Sequence, residues 1–269
     1  MQDILKIVNY FDWMAMYFSL QFGRCAMISV FELGVVLVLR GTVLRNRIFL
    51  KGAVWSLFLL VPFMGKLRLF YENRMLVRMF FWWQSVCGRY AIIRWGYMLG
   101  ILVCILLRYR SQRKLEKMLH GMNTEYICGE RVYICEVPIT PFSIGLRKPK
   151  IVIPKVIKQQ FDDGEMKTIL VHERMHIRLG HLWIYSLWNI VCALCWLNPF
   201  LVLCTDKMKE DMEQICDRFT IQRSGMDARS YGELLLKSIT LLKSERINGA
   251  AAFNGHSGSL MLHQKNFVS

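Results

Sequence analysis

Val171-His172-Glu173-Arg174-Met175-His176 contains a His-Glu-x-x-His pentad, set in a helical pattern that opens after Asp162-Asp163. Residues four apart share one face of a helix, so His172 and His176 can offer two imidazoles to one Zn²⁺ while Glu173 lies beside the open coordination position. Zinc polarises a scissile carbonyl, and the carboxylate can take a proton from the attacking water and pass it to the leaving amine. The pentad therefore predicts a zinc peptidase with Glu173 as general base. The alternative is a chance match on a surface helix.

A second helical stretch, residues 206–218, supplies the third ligand in this prediction. Glu213 and Asp217 are four apart and lie on one face of that stretch. We predict that Glu213 binds zinc and that Asp217 holds a zinc-bound histidine by its other ring nitrogen. The alternative is that both are solvated charges on an acidic helix face that also carries Glu210 and Asp211.

A third histidine ligand is not expected from the helix of the pentad. In the extended pattern that uses one, the glycine and the third histidine would fall on Leu179 and Leu182. His181 follows His172 by nine residues. It is therefore expected to point elsewhere on the helix.

The composition indicates a membrane protein. Hydrophobic residues make up 54% of the 269 residues, and the mean hydropathy is positive, which is too apolar for an ordinary soluble domain. A formal charge of +15 would suggest nucleic acid in a soluble protein. Here much of the lysine and arginine flanks apolar runs, so topology and anionic lipid explain the charge, and no direct nucleic-acid partner is expected. Nine cysteines in scattered positions show no disulfide framework.

Three apolar runs predict a membrane domain over residues 1–107, with spans at about 16–39, 48–64 and 90–107. No cleavable signal peptide is expected, because acidic residues precede the first run and no small-residue cleavage site follows it. Basic residues in the loop 40–51 and after residue 107 place both on the cytoplasmic side. Residues 65–89 are also basic, against that rule, and with their aromatic residues they resemble an interfacial segment. We expect a multi-pass protein of the cell membrane with its zinc motif in the cytoplasm.

The rest of the chain is predicted to form a cytoplasmic domain over residues 108–247 and a mobile tail over 248–269. β-Branched runs at 131–137 and 150–154 predict two strands. A strand near a zinc helix can bind substrate by edge pairing, or it can belong to a purely structural sheet. The apolar run 182–203 is long enough to span the membrane. It would then separate Glu213 from His172, so we expect a helix buried in the domain or lying against the bilayer, ending near Asn198-Pro199.

The order of these motifs resembles the BlaR/MecR-type integral-membrane metallopeptidases, and the resemblance covers nearly the whole chain. It rests on the spans, Thr140-Pro141-Phe142-x-x-Gly145 before a strand that ends at Pro154, the pentad followed by Ile-Arg, Asn-Pro at 198–199, and Met-Glu-x-x-Cys-Asp at 212–217. The resemblance implies an α-helical membrane protein with an α+β cytoplasmic gluzincin-like zinc metallopeptidase domain. It also implies zinc ligands at His172, His176 and Glu213, and a segment beside the substrate formed by Thr140, Pro141, Phe142, Ser143, Ile144 and Gly145.

In sensor members of that family, β-lactam acylates an extracellular domain and the zinc domain then inactivates a repressor. This sequence departs from the pattern in two ways: an acidic residue usual between Gly180 and His181 is missing, and no Ser-x-x-Lys sensor segment or fourth span follows. We therefore expect a stand-alone peptidase, a partner of a separate sensor, or a truncated product.

The predicted function is a membrane zinc endopeptidase that cleaves a cytoplasmic protein, such as a winged-helix repressor or itself. Its expected partners are that substrate and the bilayer, with a separate sensor protein or a homodimer as the alternatives for its assembly. The other functions left open are membrane-protein quality control and a non-catalytic zinc-containing scaffold. A purely structural zinc site has no use for a general base, so Glu173 argues against the scaffold.

Overall fold

The computed structural model of the chain describes residues 2–58 and 74–252, which divide into two compact units. The first unit comprises Met1–Arg110 and Ser186–Asp211, and the second comprises Ser111–Tyr185 and Met212–Ser269. The first unit thus includes 186–211, which the sequence placed in the peptidase domain. Hydrogen bonds explain this grouping: within this unit Asn198 donates to Ser29 Oγ at 2.7 Å, and the Tyr97 hydroxyl donates to the Leu194 carbonyl at 2.7 Å.

Long apolar helices form the N-terminal part of the chain: α1 (Gln2–Gly41), α2 (Ile48–Phe58), α3 (Arg74–Arg89) and α4 (Ala91–His120). Among the described residues, α1 and α4 are long and apolar enough to cross a bilayer. Only 11% of the most apolar window of α4 is buried within the protein, so most of that surface is available to lipid. Helix α3 turns Leu76, Phe80 and Trp83 inward and leaves Phe81 and Trp82 exposed.

The observed helices extend past the predicted spans. The first and third predictions, 16–39 and 90–107, fall almost wholly within α1 and α4, each of which continues beyond the apolar run. The second, 48–64, begins with α2; residues 59–64 lie outside the described residues, as do 65–73 of the predicted interfacial segment. Within residues 2–58 and 74–252 the structure therefore provides two helices of membrane length, or up to three spans if two later helices that meet at a bend form one broken span.

A four-stranded mixed sheet forms part of the second unit, where the sequence predicted two strands. Its strands are β1 (Asn123–Ile127), β2 (Glu130–Cys135), β3 (Phe142–Ile144) and β4 (Lys150–Pro154), in the order β1-β2-β4-β3. Strand β1 pairs with β2 through the two-residue turn Cys128-Gly129, in which both φ angles are positive, as in a type I′ hairpin. Strand β2 pairs parallel with β4, and β4 pairs antiparallel with β3. Strand β3 is therefore an edge strand of this sheet.

Helices α5 (Lys155–Gln160), α6 (Asp163–Arg178) and α9 (Ala228–Ala252) pack around the sheet, and Ile153, Ile157, Leu170 and Leu234 lie in the core that they share. Helix α6 begins with a capping box: the Glu165 backbone donates to Asp162 Oδ1 at 2.8 Å, and the Asp162 backbone donates to Glu165 Oε2 at 3.0 Å. The turn that follows helix α6 contains Gly180, whose backbone φ angle of 72° is one that favours glycine.

The chain bends by 53° after α6 and continues as α7 (His181–Leu194) and α8 (Phe200–Ser224). Helix α7 has 14 residues. At about 1.5 Å per residue it is too short to cross a ~30 Å hydrocarbon core by itself. It ends shortly before Asn198-Pro199, near the predicted end, and the Asn198 side chain accepts from the Phe200 backbone at 2.9 Å to start α8. The predicted tail starts at 248, whereas α9 continues to Ala252; residues 253–269 lie outside the described residues.

Candidate metal centre

Helices α6 and α8 place the three predicted zinc ligands together in the second unit. His172 Nε2 and His176 Nε2 lie 3.2 Å apart, and Glu213 Oε2 lies 3.4 Å from each of them. The histidines come from one face of α6, and Glu213 comes from α8, 37 positions after His176. We call these three side chains the first donor set. Their exposed fractions are 15%, 10% and 49%, so the set is open to solvent on the glutamate side.

The imidazole of His172 is oriented by Tyr231 of α9. The Tyr231 hydroxyl lies 3.0 Å from His172 Nδ1 and donates to Asp217 Oδ1 at 2.7 Å. Because the single proton of that hydroxyl goes to Asp217, the contact with His172 is one in which Nδ1–H donates to the tyrosine oxygen. This relay leaves the lone pair of His172 Nε2 directed at the first donor set. Asp217 Oδ1 itself lies 3.4 Å from His172 Nδ1, so Tyr231, which the sequence analysis missed, mediates the role predicted for Asp217.

Glu173 is 5% exposed, and Ser143 of β3 holds its carboxylate. Ser143 Oγ lies 2.8 Å from Glu173 Oε2 and 3.0 Å from the Glu173 carbonyl oxygen. A hydroxyl that donates to an ionised carboxylate restricts its orientation, which a general base requires. The edge strand is thus joined directly to the predicted base.

The segment predicted to lie beside the substrate, residues 140–145, contains β3 and the residues on either side of it. Gly145 has a φ of 99°, and a Cβ there would lie 2.8 Å from the Lys148 carbonyl oxygen. Glycine is therefore required at the turn that brings β3 back to β4. Thr140 and Pro141 precede the strand, while Phe142 and Ile144 pack against the sheet core. Within the described sheet, β3 has one edge unpaired, where an extended peptide could add as a strand.

His181 lies against the site, contrary to the expectation that it would point elsewhere. Its Nδ1 is 3.2 Å from His176 Nδ1, and Cys216 Sγ is 3.4 Å from the same atom of His181. The prediction was wrong because it extended one helical period through Gly180, where the chain bends. Tyr185, one turn later on α7, packs its ring on His181 with centroids 6.1 Å apart.

Electrostatics within the first donor set shift the pKa values of His172 and Glu213 in opposite directions, each toward the charged form of its group. Burial lowers the pKa of His172, but the hydrogen bond to Glu213 and the charges of Glu173, Glu213 and Asp217 outweigh it and leave the pKa raised. Burial raises the pKa of Glu213, yet the two histidines hold it well below its usual range. Burial and the charge of His176 lower the pKa of His181 to about 4, so His181 is neutral near pH 7.

The donor chemistry fits a metal ion. Two imidazole nitrogens and one carboxylate oxygen whose atoms all lie within 4.8 Å of one another match the three protein ligands of catalytic zinc sites. Such sites keep the fourth position for water or substrate, and the exposed Glu213 side leaves room for it. Glu173, whose carboxylate is hydrogen-bonded to Ser143, directly follows His172 in the sequence. It therefore lies on the helix that carries both histidines.

Membrane-length apolar helices, a small mixed sheet and a His-Glu-x-x-His helix that meets an acidic side chain of a second helix together define a membrane metallopeptidase architecture. Residues 98–260, more than half of the chain, match the family described as BlaR1 peptidase M56. The chain belongs to that family, which confirms the resemblance to BlaR/MecR-type proteins and the predicted fold class.

Curated relatives agree with this assignment over part of their length. The methicillin resistance mecR1 protein of Staphylococcus aureus (strain Mu50) is 26% identical over 170 residues, which are 57% of this chain and 29% of that protein, and the protein of that name in Staphylococcus epidermidis gives the same values. Regulatory protein BlaR1 of Bacillus licheniformis is 27% identical over 136 residues, 49% of this chain and 22% of the relative. The chain thus matches less than a third of each of these proteins.

Proposed function

We propose that the chain is a zinc endopeptidase of the cell membrane that cleaves a protein on the cytoplasmic side. The observation that carries the proposal is the convergence of His172, His176 and Glu213 beside a glutamate held by Ser143. Two helices of membrane length support the location, and the basic residues after the third predicted span support a cytoplasmic site. The bilayer is therefore a constant partner.

The chain's own residues would divide the work of peptide hydrolysis. Zinc, held by the first donor set, would polarise the scissile carbonyl and lower the pKa of an attacking water. Glu173 takes the proton of that water through the carboxylate that Ser143 orients, and then delivers it to the leaving amine. Tyr231 and Asp217 hold His172 in the tautomer that offers Nε2. The free edge of β3 binds the substrate backbone, independently of its side chains.

The physiological substrate in this proposal is a cytoplasmic transcriptional repressor of the winged-helix class, the enzyme itself, or both. The names of the relatives, a methicillin resistance protein and a regulatory protein, support a place in antibiotic-response signalling. A separate sensor protein or a second copy of the chain would supply the activating signal.

The test compares zinc content with cleavage of casein and self-cleavage, for the full chain purified in detergent. We expect the wild type to bind about one zinc and to cleave. Glu173→Gln should keep the zinc and lose about 10²- to 10⁴-fold in rate, whereas Glu213→Gln should lose both zinc and cleavage. Asp163→Asn removes an exposed acid from the first turn of the same helix, and it is the matched control that should change neither.

Each contrary outcome points to a different alternative. A wild type that holds zinc but cleaves no faster than Glu173→Gln would support the non-catalytic scaffold. If neither the wild type nor any variant binds zinc, the proposed metal site is contradicted. Co-expression with a winged-helix repressor and, separately, with a misfolded membrane protein distinguishes signalling from quality control, because only one of the two should then be cleaved in a Glu173-dependent way.

A further inference from the structure

A second group of metal-binding atoms lies behind the first donor set and shares one of its members. His176 Nδ1, His181 Nδ1 and Cys216 Sγ all lie within 4.8 Å of one another. Measured over whole residues, their exposed fractions are 8%, 2% and 0%. The side chains of His172 and Glu213 in the first donor set are 15% and 49% exposed, so the second group is more deeply buried. We call these three side chains the second donor set. His176 faces the first set with Nε2 and the second with Nδ1.

An unsatisfied hydroxyl beside this group also points to a ligand. Tyr185 follows His181 by one helical turn, and its ring packs on the His181 ring. Its hydroxyl oxygen is buried and has no hydrogen-bond partner among the residues that the structure describes. Buried tyrosine hydroxyls are nearly always satisfied, so this one leaves a place for an additional polar or charged partner, one helical turn after His181.

The donor chemistry selects a class of ion. Two imidazole nitrogens and a thiolate are soft or borderline ligands, which suit Zn²⁺, Cd²⁺ or Cu⁺ and not Mg²⁺ or Ca²⁺, which take oxygen. A buried thiolate requires a compensating positive charge, and a bound ion would supply it, so the burial of the group favours a closed site.

We propose that His176, His181 and Cys216 form a second site for a thiophilic metal ion, and that the two sites are alternatives. Binding releases the Cys216 thiol proton to solvent and joins the ion to the lone pair of His176 Nδ1. The remaining ring proton of His176 then resides on Nε2, which can no longer ligate in the first donor set. Simultaneous occupation would require His176 to lose both ring protons. An ion in the second site therefore leaves the first with His172 and Glu213 only, and it inhibits the peptidase.

The competing interpretation needs no second ion. His176 Nδ1–H would donate to His181 Nδ1, and Cys216 would be a buried thiol packed beside it. This arrangement also fits the 3.2 Å contact between the two rings. The two interpretations differ in one property, which is whether the Cys216 sulfur ever binds metal.

Cd²⁺ is the probe, because a thiolate bound to it gives a charge-transfer absorption band in the ultraviolet. The full-length chain in detergent is stripped of metal and titrated with Cd²⁺. The wild type should show a band that saturates near one equivalent, Cys216→Ser should lose it, and Cys204→Ser should retain it. Cys204 is the matched control, since it is also buried and lies on the same helix. Glu213→Gln should retain the band, because Glu213 belongs only to the first donor set.

A band that survives in Cys216→Ser, or no band in the wild type, overturns the proposal. Far-UV circular dichroism checks that Cys216→Ser folds; if it does not, His181→Ala takes its place and should lower Cd²⁺ affinity at least tenfold. The result is separable from the peptidase. Cleavage is assayed on the zinc-loaded protein before any Cd²⁺ is added. Glu173-dependent cleavage there, without the band in the titration, removes the second site alone, and the band without such cleavage removes the peptidase alone.

Discussion

Asp211 and Glu213 lie two positions apart on α8, and their surroundings could hardly differ more. The Asp211 carboxylate is fully buried in the first unit, where Oδ2 accepts from Arg40 Nε at 2.7 Å and from Trp55 Nε1 at 2.8 Å. Glu213, in the second unit, is 49% exposed, and its carboxylate lies 3.4 Å from an imidazole nitrogen of each histidine of the first donor set.

The difference lies in what the partners can do. Guanidinium and indole N–H groups only donate, so Asp211 has a fixed role as the acceptor of a structural ion pair. Imidazole nitrogens either donate a proton or offer a lone pair, so Glu213 and its histidines can exchange a proton for a metal ion. Of two neighbouring acids on one helix, the proposed zinc ligand is therefore the acid whose partners can change state.

The largest expected effects come from removing each charge in turn. Asp211→Asn removes the buried anion of the Arg40 guanidinium, leaves it paired with the exposed Glu210, and should lower the free energy of unfolding by about 3 kcal/mol. Glu213→Gln should abolish zinc binding and cleavage with little change in the stability of the metal-free protein. Thermal unfolding in detergent measures the stability of each variant, and zinc analysis measures its metal content.

A matched control is Glu210→Gln. Glu210 also pairs with Arg40, at 3.2 Å, but it is 47% exposed, so its loss should cost less than about 1 kcal/mol. The contrast between the two acids fails if Asp211→Asn removes zinc without destabilising the protein, or if Glu213→Gln destabilises it as much.

Loss of the Tyr231 hydroxyl, which links His172 to Asp217, should have the next largest effect. Tyr231→Phe retains the buried ring but removes the hydroxyl between His172 and Asp217, and should weaken zinc binding by about 10- to 100-fold. Competition with a chelator measures the affinity. Tyr126→Phe, on the exposed face of β1, should leave it unchanged. Unaltered affinity in Tyr231→Phe would mean that the packing of α6 alone orients His172.

Much of this site could be read from the sequence, because its members are close in sequence or share a helical period. The pentad and the spacing of Glu213 and Asp217 predicted both helix faces. Tyr231 was missed because it comes from another helix, 59 positions after His172, and no periodic pattern links the two. Asp211 was grouped with an acidic face because its partner lies 171 positions away.

The sheet was only half predicted for a similar reason. Strands β2 and β4 carry β-branched runs, whereas β3 has three residues and β1 is mostly polar, so neither shows the pattern of a strand. Their pairing depends on neighbours that form only in the folded unit.

Glu173, the proposed general base, has a hydrogen-bond partner in Ser143, as Asp211 has partners in Arg40 and Trp55. We expect that this partner is needed for catalysis. Ser143→Ala removes a hydrogen bond to a charged group, worth about 1.5 kcal/mol, and should therefore lower kcat about tenfold while zinc content stays the same. Ser143→Thr retains the hydroxyl and should restore most of the rate. Equal loss in both variants would assign the effect to β3 packing instead of the hydrogen bond.

Acidification should weaken zinc binding in the second unit before it unfolds the first unit. Zinc binds neutral imidazole, and the pKa of His172 is raised above its ordinary 6.5, so protons compete with zinc from a higher pH than at an ordinary histidine. We expect zinc affinity to fall as the pH decreases from neutral, while the first unit stays folded. An affinity that is flat from neutral to mildly acidic pH, or unfolding that accompanies zinc release, would contradict this separation.

The smallest expected effect concerns a third acid, which is neither buried nor near the metal ligands. Asp162 accepts from the Glu165 backbone at the start of α6, ten positions before His172. Asp162→Ala should lower stability by about 1 kcal/mol and leave zinc affinity unchanged, since the helix remains held by its core residues. Asp162→Asn preserves the cap and serves as the control, with thermal unfolding and zinc titration as the measurements. A loss of zinc in Asp162→Ala at temperatures where it is folded would show that the helix start controls the position of His172, and the cap would then belong with Glu213 among the functional acids.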